Sequence, residues 1–198
     1  MPTSEIRSII LAAGKGTRMK SEIPKVLHSI MGKTLLERVV NSVIKIEDIS
    51  KNYVIVGHRA DMVTELVENK YPAKNVETVL QEPQLGTGDA VFQCWDKLAD
   101  FKGSVIVLCG DTPLLRTETL EKFINSHRTS GAVLTVMTSI MANPLNYGRI
   151  VRDENDAIMK IVEEKDATLS QKAIKEINAG IYCFDWQQIA PAFKEITP

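Results

Sequence analysis

Short apolar runs alternate with stretches of helical periodicity through the first two thirds of the chain. Arg7–Leu11 (R-S-I-I-L), Tyr53–Val56, Val76–Leu80, Ser104–Cys109 and Ala132–Thr138 read as strands: they are brief, rich in aliphatic residues and mostly bounded by turn-forming positions. Ser104–Cys109 (S-V-I-V-L-C) has the most strongly buried pattern. Between them, Thr34–Ile46 sets Leu35, Leu36, Val39, Val40 and Val43 on one helical face, with Thr34 as its cap. Asp61–Glu68, Thr87–Leu98 and Thr117–His127 repeat the pattern, the last through Leu120, Phe123 and Ile124. Strand–helix alternation of this kind predicts an α/β fold, a mostly parallel sheet with helices on both faces.

From about residue 143 the pattern changes. Tyr147–Arg152, Ala157–Val162 and Ile177–Phe184 read as shorter strands joined by charged turns, and Trp186–Phe193 as a closing helix. These strands are expected to form a small sheet, a β flap over one edge of the main one. With no internal repeat, low-complexity tract or Gly/Ser linker, residues 1–198 are expected to form a single domain.

Composition narrows the classes. The 198 residues are 44% hydrophobic and 25% charged, with a formal net charge of -1. That balance gives no global attraction to nucleic acid or an anionic membrane, so any anion binding must be local. No apolar run is long enough to span a bilayer, and none at the N-terminus resembles a signal peptide. Cys94, Cys109 and Cys183 lie far apart, without C-x-x-C spacing, as expected of thiols in a reducing compartment; a cytoplasmic protein is predicted. His28, His58 and His127 lack metal-ligand spacing, and no G-x-S-x-G elbow offers a hydrolytic serine. Trp95 and Trp186 read as packing residues.

Three places can carry chemistry. The first is Leu11–Lys25, L-A-A-G-K-G-T-R-M-K-S-E-I-P-K, where two glycines follow a strand and Arg18 and Lys25 follow them. Glycines there let backbone N–H groups approach phosphate oxygens, and two cations on one loop suit a triphosphate. The alternative is a glycine-rich turn with solvated charges. Met19 stands where a dinucleotide fingerprint wants glycine, which argues against a dinucleotide-dependent oxidoreductase, and no mononucleotide P-loop run is present. The second is Cys109-Gly110-Asp111-Thr112-Pro113, at the carboxyl end of the strongest strand, where α/β sheets bind ligands. Asp111 there is either a Mg²⁺ ligand beside phosphates or a turn cap. The third is Gln81–Gly88, whose Gly86, Thr87 and Gly88 either expose N–H groups to a ligand or form a capped loop. Asn178, inside the apolar run I-N-A-G-I-Y, needs a polar partner from protein or ligand, and Glu163–Asp166 reads as a solvated turn with room for one inward carboxylate.

In order along the chain, L-A-A-G-K-G-T-R-M, P-K-V-L-H, Q-x-x-x-L-G-T-G, G-D-T-P-L, Y-G-R-I, I-V-E-x-K-D-A and E-I-N-x-G-I-Y closely resemble one family. It is the uridyltransferase domain of bacterial bifunctional N-acetylglucosamine-1-phosphate uridyltransferase/glucosamine-1-phosphate acetyltransferases, and the likeness runs from about residue 6 to the end. The resemblance implies a Rossmann-like fold of the nucleotide-diphospho-sugar transferase type. The implied reaction joins UTP to N-acetylglucosamine 1-phosphate, giving UDP-N-acetylglucosamine and pyrophosphate. Carried over by motif, Leu11, Ala12, Ala13 and Gly14 line the nucleotide, with Arg18 and Lys25 catalytic on its phosphates. Gln81, Gly86 and Thr87 recognise uracil. Gly110 and Asp111 bind substrate, with Asp111 holding Mg²⁺, and Gly148, Glu163 and Asn178 contact the amino sugar and ribose.

Two departures qualify the resemblance. Asp89 follows Gly88 where family members often carry histidine, and no role is assigned to it. The chain ends at Pro198, before the Asn-rich segment that supplies the family's second metal ligand and before the β-helical acetyltransferase domain. On that basis the chain is expected to be an incomplete nucleotidyltransferase domain, monomeric and unable to transfer acetyl groups, with uridyltransfer impaired. A fragment that binds nucleotide without turnover, or a transferase acting on another sugar phosphate, are the alternatives.

Overall fold

The computed structural model describes residues 5–16 and 19–195. The chain divides into two compact units, one built from the residues up to Thr135 and again from Cys183, the other from Val136 to Tyr182.

The first unit is organised around β1 (Ile6–Leu11), whose Ile6, Ile9 and Ile10 are fully buried. β1 pairs in parallel with β4 (Ile49–Val56) on one side and with β6 (Ser104–Cys109) on the other. β5 (Val76–Leu80) continues the sheet, parallel to β4. β6, the second half of β4 and Ile9–Ile10 of β1 are covered on both faces and read as apolar runs, whereas β5 is only partly buried. β4 begins four residues before the expected Tyr53, because Ser50, Lys51 and Asn52 hide its first half from an apolar pattern. Asn52 is buried and satisfied: Ser8 Oγ donates to its Oδ1 at 2.7 Å, and its Nδ2 donates to the Asn75 carbonyl at 3.1 Å.

α1 (Leu35–Val43) starts on a complete capping box. Thr34 Oγ1 accepts from the Glu37 N–H at 3.1 Å, and Glu37 Oε2 accepts from the Thr34 N–H at 2.8 Å. The predicted apolar face is buried throughout. α2 (Ala60–Lys70) and α4 (Thr117–Ser130) outlast their predicted spans, and Gly131, at φ +65°, ends α4 in the left-handed region. The single helix expected over 87–98 is instead α3 (Thr87–Phe92) followed by a 3₁₀ turn, Asp96–Leu98. Between them the Cys94 and Trp95 N–H groups donate three residues back, to Val91 and Phe92 at 3.0 and 2.8 Å. The tightening places Trp95 between Phe92 and Trp186, at ring separations of 5.5 and 6.0 Å, so the tryptophans are indeed packing residues. α6 (Trp186–Phe193) completes that cluster, capped by Asp185, whose carboxylate accepts from the Gln188 N–H. A hairpin of β2 (Ser29–Ile30) and β3 (Lys33–Thr34) has no sequence forecast, since two-residue strands are too short to show a period.

The chain leaves this unit within β7 (Leu134–Ile140) and returns within β10 (Glu176–Asp185). In the second unit β8 (Arg149–Arg152) runs antiparallel to both β9 (Ile158–Val162) and β10. A short helix, α5 (Leu169–Lys172), follows β9 on its own Thr168–Gln171 capping box. No helix among the described residues is long and apolar enough to cross a membrane.

Replacing Thr34 by alanine removes the acceptor from the α1 cap. The expected cost is about 1 kcal/mol, read as a lower urea midpoint at unchanged slope; an unchanged midpoint would show that the cap contributes nothing.

Candidate active site

The four parallel strands of the first unit point the same way, and their carboxyl ends share one edge. Leu11 is in register with Ile55 on one side and Cys109 on the other, and Val56 with Leu80. The ladder runs on into the following loops. The Ala12 N–H donates to the Ile55 carbonyl at 2.9 Å, Gly110 N–H to Leu11 at 2.9 Å and Gln81 N–H to Val56 at 2.8 Å. Backbone hydrogen bonds therefore tie the first and third sequence-predicted loops to β4, between them, and the second to the first.

A cavity of about 500 Å³ opens at this edge. Leu11, Ala12, Ala13, Gly14, Lys25, Gln81, Gly86, Thr87 and Asp111 all line it, together with Gly16, Met19, Val26, Gln84, Ala90 and Cys109. Its size lies in the range of small-ligand clefts. Gly110, expected among the binding residues, is buried behind the cavity rather than lining it. A Cβ there would come within 2.9 Å of the Leu11 carbonyl and 3.3 Å of Leu36, so only glycine fits where the loop leaves β6. Arg18 lies outside the described residues.

Lys25 is the one cation and Asp111 the one acid among the described lining residues. Lys25 Nζ donates to Asp111 Oδ2 at 2.5 Å, both side chains being partly exposed. An ion pair this open to solvent adds little stability; its importance is that it holds a cation and a carboxylate at one point of the wall. Gly16 sets the approach of Lys25: at φ +59° its missing Cβ would sit 2.7 Å from Lys25 Cβ. Burial pushes the Cys109 thiol up to about 11, Asp111 adding to the rise and Lys25 opposing it, so it meets the cavity as an inert thiol at neutral pH.

Gln81 is 4% exposed, and its amide is fully committed on the nitrogen side. Nε2 donates to the Gly86 carbonyl at 2.9 Å and to Asp89 Oδ2 at 2.7 Å. Gln84 also lines the cavity, packed against Gly57, where a Cβ would come within 2.7 Å of Gln84 Nε2. Neither Gln84 nor Asp89 was singled out as a binding residue by sequence reasoning; Gln84 lies in the third motif, and Asp89 one residue past its end.

In the second unit Gly148, Glu163 and Asn178 meet one another. The Asn178 N–H donates to the Gly148 carbonyl at 2.9 Å, and Glu163 Oε1 lies 3.2 Å from where a Gly148 Cβ would be. The partners of Asn178 are protein groups: its Nδ2 donates to Tyr182 Oη at 2.6 Å, and its Oδ1 accepts from the Gly180 N–H at 2.9 Å. The carboxylate that turns inward at 163–166 is Glu164. It accepts from Arg149 Nη2 at 2.6 Å, and that guanidinium, which also donates to the Tyr147 carbonyl, holds the Glu164 carboxyl below its ordinary range. Arg149, 2% exposed inside Y-G-R-I, is the anchor of this turn. An arginine at the head of an apolar strand, with two glutamates on the next strand's exit, was its only sequence signal.

Among the described residues no three His, Cys, Asp or Glu side chains converge as a metal cage. Asp111 offers a single hard carboxylate donor at the cavity wall, which suits a cation that keeps waters and takes most of its ligands from phosphate.

A profile of the nucleotidyl transferase family matches residues 7–198. The chain belongs to the nucleotidyl transferase family. Among curated relatives it is 49% identical over 190 residues to the bifunctional protein GlmU of Lactococcus lactis subsp. lactis (strain IL1403), a match covering 96% of this chain and 40% of that protein. To the bifunctional protein GlmU of Pelotomaculum thermopropionicum it is 45% identical over 194 residues, covering 98% and 41%. This nucleotidyl transferase thus spans about two fifths of the length of these relatives. A solved Bacillus anthracis chain, provisionally assigned as a glucose-1-phosphate thymidylyltransferase, superposes with a TM-score of 0.78 at 21% identity, over 98% of this chain and 76% of that one. At that identity the likeness shows the fold, an α/β sheet of the nucleotide-sugar transferase type.

Two glycines of the same loop give opposite expectations. A Cβ at Gly14 has nothing within 4 Å, whereas one at Gly16 meets Lys25. Gly16→Ala is expected to lower stability by about 1–2 kcal/mol and Gly14→Ala to leave the melting temperature nearly unchanged; equal melting temperatures would refute the steric account of Gly16.

Proposed function

We propose that this nucleotidyl transferase transfers a uridylyl group from UTP to N-acetylglucosamine 1-phosphate, releasing pyrophosphate. The observation that carries the reading is the Lys25–Asp111 pair, set 2.5 Å apart on the wall of a cavity that Gly14 and Gln81 also line. Support comes from the curated GlmU relatives and from the order of the motifs.

In this reading an anionic oxygen of the sugar phosphate attacks the α-phosphorus of UTP. The bond from that phosphorus to the bridging oxygen breaks, and pyrophosphate departs with the electron pair. The sugar phosphate is already ionised at neutral pH, so no side-chain nucleophile is needed, and Cys109 stays out of the chemistry. The obstacle is the meeting of two anions. The backbone of Leu11–Gly14 carries the nucleotide, Lys25 and Arg18 offset the charge on its phosphates, and Gln81, Gly86 and Thr87 take the base. Gly148, Glu163 and Asn178 take the sugar and ribose. Asp111 holds Mg²⁺, which when bound supplies charge neutralisation on the triphosphate oxygens. The remaining acceleration comes from holding attacking and leaving oxygens in line. The reaction belongs in the cytoplasm, in keeping with the buried thiols of Cys94 and Cys183.

The test is pyrophosphate release from UTP, Mg²⁺ and N-acetylglucosamine 1-phosphate. Asp111→Ala is expected to abolish turnover while leaving the melting temperature close to that of the parent; Mg²⁺-dependent turnover near the parent rate would refute its role. Lys25→Ala should lose about a hundredfold or more in kcat. A change confined to the KM for the sugar phosphate would argue against Lys25 acting on the transferring phosphoryl group.

A further inference from the structure

The geometry points to Asp89 as the residue that fixes which base the cavity accepts, by locking the orientation of the Gln81 side-chain amide. The inference rests on the nucleotide reading of the cavity given above and extends it to a residue outside the binding set.

An amide side chain can present either its oxygen or its nitrogen to a ligand, and the two ends are nearly equal in shape. In Gln81 the choice is dictated. Its Nε2 faces the Gly86 carbonyl at 2.9 Å and Asp89 Oδ2 at 2.7 Å. Both neighbours are acceptors, one of them an anion, so both amide hydrogens are committed and a flipped amide would set Oε1 against a carboxylate. What Gln81 has left for the cavity is Oε1, an acceptor.

Asp89 is itself held. It sits half-buried in α3, and its second oxygen, Oδ1, accepts from Gln93 Nε2 at 3.1 Å, so the carboxylate stands between two amides. Removing it leaves only the Gly86 carbonyl to orient Gln81. The base that suits a fixed acceptor is one with a ring N–H, as uracil and thymine have. Cytosine presents a bare ring nitrogen at the same edge, and acceptor would meet acceptor. Asp89 is thus a positioning residue: it acts on the base through Gln81.

The experiment measures the affinity of UTP and CTP, each with Mg²⁺, by titration calorimetry, alongside pyrophosphate release in the presence of N-acetylglucosamine 1-phosphate. The parent is expected to prefer UTP, and Asp89→Ala to lower the UTP-to-CTP affinity ratio about tenfold, by weakening UTP and improving CTP together. Asp89→Asn, which keeps one acceptor oxygen, should fall between the two, and it decides the matter if Asp89→Ala does not fold. A purely structural role would weaken both nucleotides alike and leave the ratio where it was; that result overturns the inference. Equal binding of UTP and CTP by the parent overturns it as well. A parent that prefers UTP, loses that preference in the variants and yet releases no pyrophosphate upholds the role of Asp89 and sinks the uridyltransfer reading alone.

Discussion

A parallel hydrogen-bond ladder that does not stop where its strands stop is the constraint on which the first unit depends. β5, β4, β1 and β6 run in one direction, so their exits share an edge and the loops that leave them are neighbours whatever their distance in sequence. Donation from Ala12 and Gln81 to carbonyls of β4, and from Gly110 to the carbonyl of Leu11, fixes the start of each loop to the strand beside it. Space is correspondingly scarce behind the cavity. Gly57 has no room for a side chain beside Ala13, and Gly110 none beside the Leu11 carbonyl. The cavity follows from this arrangement: side chains on the exits turn outward from a rigid frame, as in other open α/β sheets.

On that frame the charge is sparse and placed. The chain as a whole is nearly neutral, and the described cavity wall holds one ammonium and one carboxylate in direct contact. A polyanion gains from such a wall because the opposing charges are close enough to be separated by a ligand: the carboxylate can go to a cation and the ammonium to a phosphate. The apolar remainder, with Ala12, Ala13, Val26 and Ala90, keeps water from competing at the buried side. The polar group that stands deepest, Gln81, is tolerated because its nitrogen is fully bonded.

The second unit solves a different problem with a buried charge. Arg149 is almost completely enclosed, and its cost is offset by Glu164 and by a backbone carbonyl, which together fix the turn at 163–166. Gly148 and Glu163 stand at the two ends of this anchored hairpin, and Asn178 on the neighbouring strand β10, steadied by Tyr182 and Gly180. Neighbouring glutamates thus have separate fates, one tied to an arginine and the other left at the surface.

The division between what the chain spells out and what its folding adds falls along physical lines. Apolar runs and capping residues act locally, so β1, β6, α1 and the glycine loop after β1 are legible as residues alone. Where polar residues are buried against distant partners, as Ser8 against Asn52 or Arg149 against Glu164, no local pattern announces them. The break after α3 escaped for a similar reason, since it is the contact of Trp95 with Trp186, ninety-one residues further on, that accompanies the tightening. Asp89 is the sharpest case. As a letter it is one more charge near a helix start, and only the tertiary fold puts its carboxylate on the nitrogen of Gln81. The sequence by itself determined the longer apolar strands, the order of their chemistry-bearing loops and the residue types at each exit, because propensity and periodicity need only neighbours. The tertiary structure alone decided which of those groups touch, because contact between loops tens of residues apart is set by strand register and packing.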